Sequence, residues 1–323
     1  MIRLGTGPED LARAAALLKA GRLVAFPTET VYGLGADASN HEAVAAIFRA
    51  KGRPADHPVI VHLPSAAAMA EWARDIPDAA WTLAGAFWPG PLTLVLRCAA
   101  HVDRIITGGQ DTVGLRVPGN RVAQALLAGC GRALAAPSAN RFGHDSPTTA
   151  DHVIGEFGDE VAAVVDGGPC EVGVESTIVD LSGSTPLVLR PGMISVEAIG
   201  ERLGVVPQIA AAREGARASG RLASHYAPAS RLSLLPADGL TAQVARWRNQ
   251  GLRIVVLGIS APGGDPNDIQ LPARPEDYAR ALYASLRQAD ARVPDRIVAE
   301  MPPDEPSWAA VRDRLQRAAS SAD

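Results

Sequence analysis

The chain builds short apolar runs and breaks each of them with hydroxyls, charges, Gly or Pro. The first break constrains the fold most: Leu23-Val24-Ala25-Phe26 runs directly into Pro27-Thr28-Glu29-Thr30-Val31-Tyr32-Gly33-Leu34-Gly35. The apolar run predicts a buried strand. Three hydroxyl-bearing side chains and one carboxylate then fall within six residues. Gly33 and Gly35 leave the backbone free to turn sharply or to let a ligand approach. A compact polar break just past a strand end is what a substrate pocket in an α/β protein needs. A hydroxyl-rich turn without a ligand meets the same pattern, so the rest of the chain decides.

The alternation continues along the sequence. Periodicity predicts a helix from Glu9 to Ala20, ending at Gly21, and another from about Glu42 to Ala50, capped by Ser39 or Asn40. That second helix ends in Lys51-Gly52-Arg53-Pro54. This is a routine helix end, and its two cations beside an exposed backbone also suit an anionic ligand. Pro58 to Leu63 predicts a buried strand with His62 near its end. Helices are expected over Ala66–Arg74 and Asp78–Phe87, and Trp88-Pro89-Gly90-Pro91 leads rigidly into a strand, Leu92–Arg97. Thr112–Pro118 is a further strand in which Arg116 faces away from Leu115. A lone Arg among apolar strand residues is costly unless paired. Its partner is an internal acid or a ligand carboxylate, and bidentate recognition favours the ligand. After a helix from Asn120 to Leu127, the run Ala133–Ala136 breaks into Pro137-Ser138-Ala139-Asn140. Ser146-Pro147-Thr148-Thr149 reads as a helix start. Ala162–Asp166 is a strand, Glu175-Ser176-Thr177 leads into another, Leu187–Arg190 ends in a cation, and Ser195 caps a helix reaching Gly204.

A length of 323 residues fits two domains. Residues 1–205 form the first. Residues 206–229, rich in Ala, Gly, Arg, Ser and Pro, read as a linker that ends in the specific sequence Ser224-His225-Tyr226-Ala227-Pro228. Residues 230–323 alternate strands (Leu232–Leu235, Ile254–Leu257, Arg296–Ala299) with helices (Thr241–Gln250, Pro275–Ala291, Pro306–Ala318), which predicts a parallel, Rossmann-like sheet. Gly263-Gly264 does not complete a GxGxxG fingerprint. Walker A, HExxH, CxxC and GxSxG sequences are also missing, which sets aside the usual P-loop, zincin, metal-ribbon and hydrolase chemistries.

Other classes are set aside by composition. No apolar run spans a bilayer, and Met1 leads into an amphipathic segment instead of a secretion signal. The three cysteines, Cys98, Cys130 and Cys170, are scattered. That fits core residues in a reducing compartment, so a cytoplasmic protein without membrane association is expected. A net charge of −4 and a pI near 6.0 give no global attraction to nucleic acid. Of 31 basic residues only Lys19 and Lys51 are lysines. What the chain offers is hydroxyls (Thr28, Thr30, Ser138, Ser176), cations (Lys51, Arg53, Arg116, Arg190) and acids (Glu29, Glu175), an inventory suited to a polyphosphorylated ligand beside a small zwitterion.

Pro27–Gly35, Lys51–Pro54, Pro58–His62, Gly114–Pro118, Pro137–Asn140 and Glu175–Thr177, in that order, resemble the YrdC-like threonylcarbamoyl-AMP synthases. His225-Tyr226-Ala227-Pro228 and the C-terminal unit resemble that family's longer, two-domain form. The resemblance covers essentially the whole chain and implies a twisted α/β catalytic domain with a concave basic surface. The implied reaction joins L-threonine, bicarbonate or CO₂, and ATP into threonylcarbamoyl-adenylate and pyrophosphate, with Mg²⁺ accompanying ATP. The product feeds threonylcarbamoylation of the adenosine beside the anticodon, through a downstream tRNA threonylcarbamoyl transferase complex; direct tRNA binding stays open.

By the same resemblance Thr30, His62, Arg116, Ala136 (through its backbone) and Ser176 hold threonine. Arg53, His57, Thr112, Ser138, Ser146, Arg190 and Tyr226 meet ATP, with Tyr226 closing over it as a lid. Lys51, Arg53, Ser138 and Asn140 form the K-x-R and S-x-N motifs that act on phosphates or Mg²⁺; the metal's ligands are not identified. His57 departs from the family, which commonly has Asn there. Two other readings remain: an RNA-binding module on the same basic concavity, and a carbamoyl-phosphate-using transferase. The net acidity opposes the first. The second calls for zinc-finger-like and acylphosphatase segments that this chain does not supply.

Overall fold

The computed structural model describes residues 1–211, 214–221, 225–260 and 265–320. They divide into two compact units. The first comprises Met1–Phe142, Pro147–Glu171 and Glu175–Arg221; the second comprises Gly143–Ser146, Val172–Val174 and Leu222–Asp323.

The first unit is organised on one mixed sheet. Its strands are β1 (Ile2–Leu4), β2 (Val24–Pro27), β3 (Tyr32–Asp37), β4 (Ile60–His62), β5 (Leu92–Arg97), β6 (Thr112–Arg116), β7 (Leu134–Ala135), β8 (Ala163–Val165), β9 (Thr177–Asp180), β10 (Leu187–Arg190) and β11 (Gln208–Ile209). Among the described residues the order is β1-β8-β2-β3-β7-β4-β6-β5-β9-β10-β11. The pairs β4·β6 and β5·β9 are parallel, whereas β2·β3, β4·β7 and β5·β6 are antiparallel. Both sheet faces are apolar. Leu18, Val24, Phe26, Leu126, Leu134 and Val165 form one core, to which the helices Pro8–Lys19 and Arg121–Cys130 contribute. Tyr32, Leu34, Val44, Ile47, Val61, Leu94 and Leu115 belong to the other. Each fully buried Leu, Ile or Phe contributes about 1.5–3 kcal/mol, which outweighs the burial of a few polar groups at the strand ends. Cys98, Cys130 and Cys170 are buried free thiols, as core residues should be. Burial, the largest cause, pushes the Cys130 thiol up to about 11 and that of Cys170 up to about 12.

The opening stretch is a hairpin. Pro27 pairs with Tyr32, and the Thr28 hydroxyl closes the loop by accepting from the N–H groups of Thr30 and Val31, each at 3.2 Å. Gly33 and Gly35 lie inside β3 and not at the turn, contrary to their expected use as hinges. Their requirement is close packing: a Cβ on Gly35 would stand 2.5 Å from the Phe26 ring. Helix ends follow the sequence signals. The Asn40 side chain accepts from Ala43 N–H to start the helix His41–Lys51, and Gly52, with φ 61°, ends it in the left-handed conformation.

The second unit has an all-parallel sheet of β12 (Leu232–Leu235), β13 (Ile254–Gly258), β14 (Ile269–Gln270) and β15 (Arg296–Glu300), in the order β12-β15-β13-β14. Helices Ala237–Asn249, Pro275–Asp290 and Ala309–Ala319 accompany it. The two short segments, 143–146 and 172–174, are tied into this unit. Ala227 N–H donates to the Gly143 carbonyl at 3.0 Å, and Arg287 Nε lies 2.9 Å from the Asp145 carboxylate. Gly173, with φ 82°, leaves so little room that a Cβ would meet Arg280 Cα at 2.4 Å. No helix among the described residues is long and apolar enough to cross a membrane.

The stretch 206–229, read as a linker from composition, divides between the units at Arg221. β11 pairs parallel to β10, using backbone groups that leave no trace in side-chain pattern. Gly263-Gly264 and Ser224 lie outside the described residues.

Candidate active site

The site is assembled at strand ends of the first unit. Parallel pairing of β4 and β6 sets His62 directly beside Arg116, and strand periodicity puts both on the face shared by Ile60, Thr112 and Gly114. Carboxyl ends of adjacent parallel strands are where open α/β sheets hold ligands. Arg116 is buried. Its Nη2 donates to Glu29 Oε1 at 2.7 Å, its Nη1 to the Thr30 hydroxyl at 3.0 Å, and its Nε to the Gly90 carbonyl at 3.2 Å. The guanidinium therefore has an internal acid partner, Glu29, where a ligand carboxylate was favoured from sequence. It still keeps two of its five N–H groups. Burial would push the Glu29 carboxyl up, but Arg116 and the Gly119 N–H together hold it below its ordinary value. His62 is the opposite case. Burial, reinforced by the Arg116 charge, lowers it to about 3, so the imidazole is neutral, and neither ring nitrogen has a hydrogen-bond partner.

A second cluster lies around Ser176. Its hydroxyl is 2.8 Å from that of Thr93, and Arg190 Nη2 donates to it at 3.1 Å. Arg190 also holds the Ser176 carbonyl through Nε and Nη2, and its Nη1 reaches the Ser219 carbonyl at 3.0 Å. Arg53 Nη2 donates to the Ser219 hydroxyl at 3.0 Å and to the Pro58 carbonyl at 2.7 Å. Ser219 thus joins the two arginines expected at ATP. It was missed from sequence because it falls in the stretch read as spacer. Thr93 was missed as well, and its signal was a hydroxyl inside an otherwise apolar strand. Thr112 lines a narrow cavity of about 20 Å³ with Pro58, Ile60, Gly114, Ala218 and Ser219.

The third cluster is the Pro137–Asn140 turn. Lys51 is buried, and its Nζ donates to the carbonyls of Ser138 and Asn140. Burial first, and Arg53 second, push this ammonium well below the usual lysine range. Lys51 therefore fixes the turn that presents Ser138. The Ala136 N–H is engaged by the Ile60 carbonyl, which leaves its own carbonyl as the group it can offer. His57 is half-buried and stacks edge-on against Phe142 at 5.2 Å. Ser146 and Tyr226 belong to the second unit. There Tyr226, buried and at φ 65°, packs against His225, Tyr283 and the Arg314 guanidinium. Among the described residues no cluster of three His, Cys, Asp or Glu could hold a metal.

Comparison with known proteins shows the family of the chain. A family described as "Telomere recombination" (Sua5, YciO and YrdC) matches residues 16–192, and "Threonylcarbamoyl-AMP synthase, C-terminal domain" matches residues 194–320. The chain is 40% identical over 315 residues to a threonylcarbamoyl-AMP synthase of Pyrococcus abyssi, covering 94% of this chain and 92% of that one. It is 38% identical over 327 residues to one of Bacillus subtilis, covering 98% and 94%. The crystal structure of P. abyssi Sua5 complexed with L-threonine superposes with a TM-score of 0.92 at 39% identity, covering 98% of this chain and 97% of that one. The chain belongs to the Sua5/YrdC family, in its long form with the Sua5 C-terminal domain.

Proposed function

We infer that the chain is a threonylcarbamoyl-AMP synthase, a nucleotidyltransferase that converts L-threonine, bicarbonate or CO₂, and ATP into threonylcarbamoyl-AMP and pyrophosphate. The observation that carries the reading is the pair at the ends of β4 and β6: a buried guanidinium with N–H groups in reserve, beside a neutral imidazole with both nitrogens unengaged. A small zwitterion with a hydroxyl needs such a set. Arg116 takes the carboxylate, and Thr30, His62, Ser176 and the Ala136 carbonyl surround the amine and hydroxyl. Arg53, Arg190, Thr112, Ser138 and His57 face the nucleotide, and Lys51 and Asn140 hold the turn that bears Ser138. Ser146 and Tyr226 are assigned to ATP on the family resemblance alone.

The chemistry requires no protein nucleophile. The unprotonated threonine amine adds to CO₂, forming the N–C bond of a carbamate and releasing one proton to solvent; a carbamate oxygen attacks the α-phosphorus, and the bond to the bridging oxygen breaks as pyrophosphate leaves. The protein positions two reactants and spreads negative charge through fixed cations. A Mg²⁺ carried with ATP would supply further neutralisation of the phosphate charge beside these cations. Neither His62 nor Glu29 is a base near neutrality, because one is lowered to about 3 and the other held below the ordinary carboxylate value. A cytoplasmic enzyme supplying a tRNA-modifying transferase completes the reading. Incubation with threonine, bicarbonate and MgATP should release pyrophosphate only when threonine is present. Release that is absent, or equal with serine and glycine, contradicts the assignment.

A further inference from the structure

Glu29 has no assigned role in the reaction. It is 7% exposed, Oε1 accepts from Arg116, and Oε2 is buried with no hydrogen-bond partner. An unengaged carboxylate oxygen in a buried position is costly, because its desolvation is not offset. Arg–carboxylate pairs are frequently bidentate, using both oxygens. Here the two groups meet through one oxygen, Oε1, and one nitrogen, Nη2, and each keeps capacity over: Oε2 on the acid, and two N–H groups on the arginine. The hairpin loop that carries Glu29 also carries Thr30, whose hydroxyl takes Arg116 Nη1. The acid, the cation and a hydroxyl are thus fixed as one unit beside the neutral His62.

We propose that Glu29 and Arg116 form a matched pair that reads the zwitterion of the substrate: Arg116 takes the α-carboxylate, and Glu29 Oε2 takes the α-ammonium. Bound threonine then completes a four-charge alternation in a buried place, where opposite charges attract strongly and an unmatched one is heavily penalised. The same pairing rejects carboxylic acids that lack an amine, since they leave Oε2 unsatisfied beside a second anion. The proposal rests on threonine as the substrate. It assigns Glu29 to binding and orientation and not to proton removal, which fits a carboxyl held below its ordinary value.

The test is calorimetric binding of L-threonine and of 3-hydroxybutyrate, the analogue with hydrogen in place of the amine, to the wild-type protein and to Glu29→Gln. The variant should bind threonine at least tenfold more weakly, keep ATP affinity within twofold, and bind 3-hydroxybutyrate more tightly than wild type does. A role limited to holding Arg116 in place predicts an equal loss for both ligands. Equal losses, unchanged threonine affinity, or no gain for the analogue would overturn the proposal. Failure of the wild-type protein to bind threonine would instead remove the functional reading beneath it.

Discussion

Arg116 and His62 sit side by side with different partners. The guanidinium is met by Glu29, Thr30 and Gly90; the imidazole, buried next to that charge and without a hydrogen-bonded carboxylate, stays neutral. Arg116→Ala should therefore do two things. It should weaken threonine binding by about 2–4 kcal/mol, read by calorimetry. It should also lower unfolding stability by about 3–5 kcal/mol, because Glu29 is left buried without its partner. Unaltered threonine affinity would contradict the carboxylate role. For His62 the sign is fixed by its lowered value. The unfolded chain takes up a proton near pH 6.5, whereas the folded chain refuses it until about pH 3. Stability is thus full above that window and falls on acidification at about 1.4 kcal/mol per pH unit. Glu29 adds a loss only further down, as pH falls through its own depressed value. Denaturant midpoints for His62→Gln between about pH 5 and 6.5 should show a slope flatter by about that amount; a slope equal to wild type would mean that His62 is not held neutral.

Among the elements, strands and helices with strong patterns were legible in the sequence. The polar breaks at their ends carry the candidate site residues, because a carboxyl end of a buried strand is where polar groups have to stop the apolar run. Two things were not legible. One is the role of the glycines, since Gly35 serves the Phe26 ring and not a turn. The other is the continuation of the first unit past residue 205, where β11 and Ser219 join by backbone and hydroxyl contacts that composition does not encode. Partner choice was likewise hidden: Arg116 signalled a need for an anion, but only the hairpin geometry shows that Glu29 supplies one. Gly192 follows from the same logic of close approach. A Cβ there would lie 2.3 Å from Thr177 N and 2.8 Å from the Ser176 carbonyl carbon. Gly192→Ala should displace the start of β9 at a cost of about 1–3 kcal/mol. It should raise the threonine KM in pyrophosphate release, and an unchanged KM would show that Ser176 tolerates the shift.

For the molecule as a whole, the second unit is assembled from three separated pieces of chain. Gly173 lies in the shortest of them, at a positive φ and against the backbone of the helix Pro275–Asp290. Gly173→Ala combines conformational strain with overlap and should cost about 2 kcal/mol or more. Scanning calorimetry should register it as a lowered Tm, and an unchanged Tm would mean that this loop is not part of the unit's packing. The three-piece construction also limits what can be exchanged by engineering. A shorter homologue fused to residues 222–323 alone would lack the four residues of Gly143–Ser146 and the three of Val172–Val174, and with them Asp145, the counter-ion of Arg287. A working chimera has to transplant two loops from the middle of the donor's catalytic sequence along with its tail.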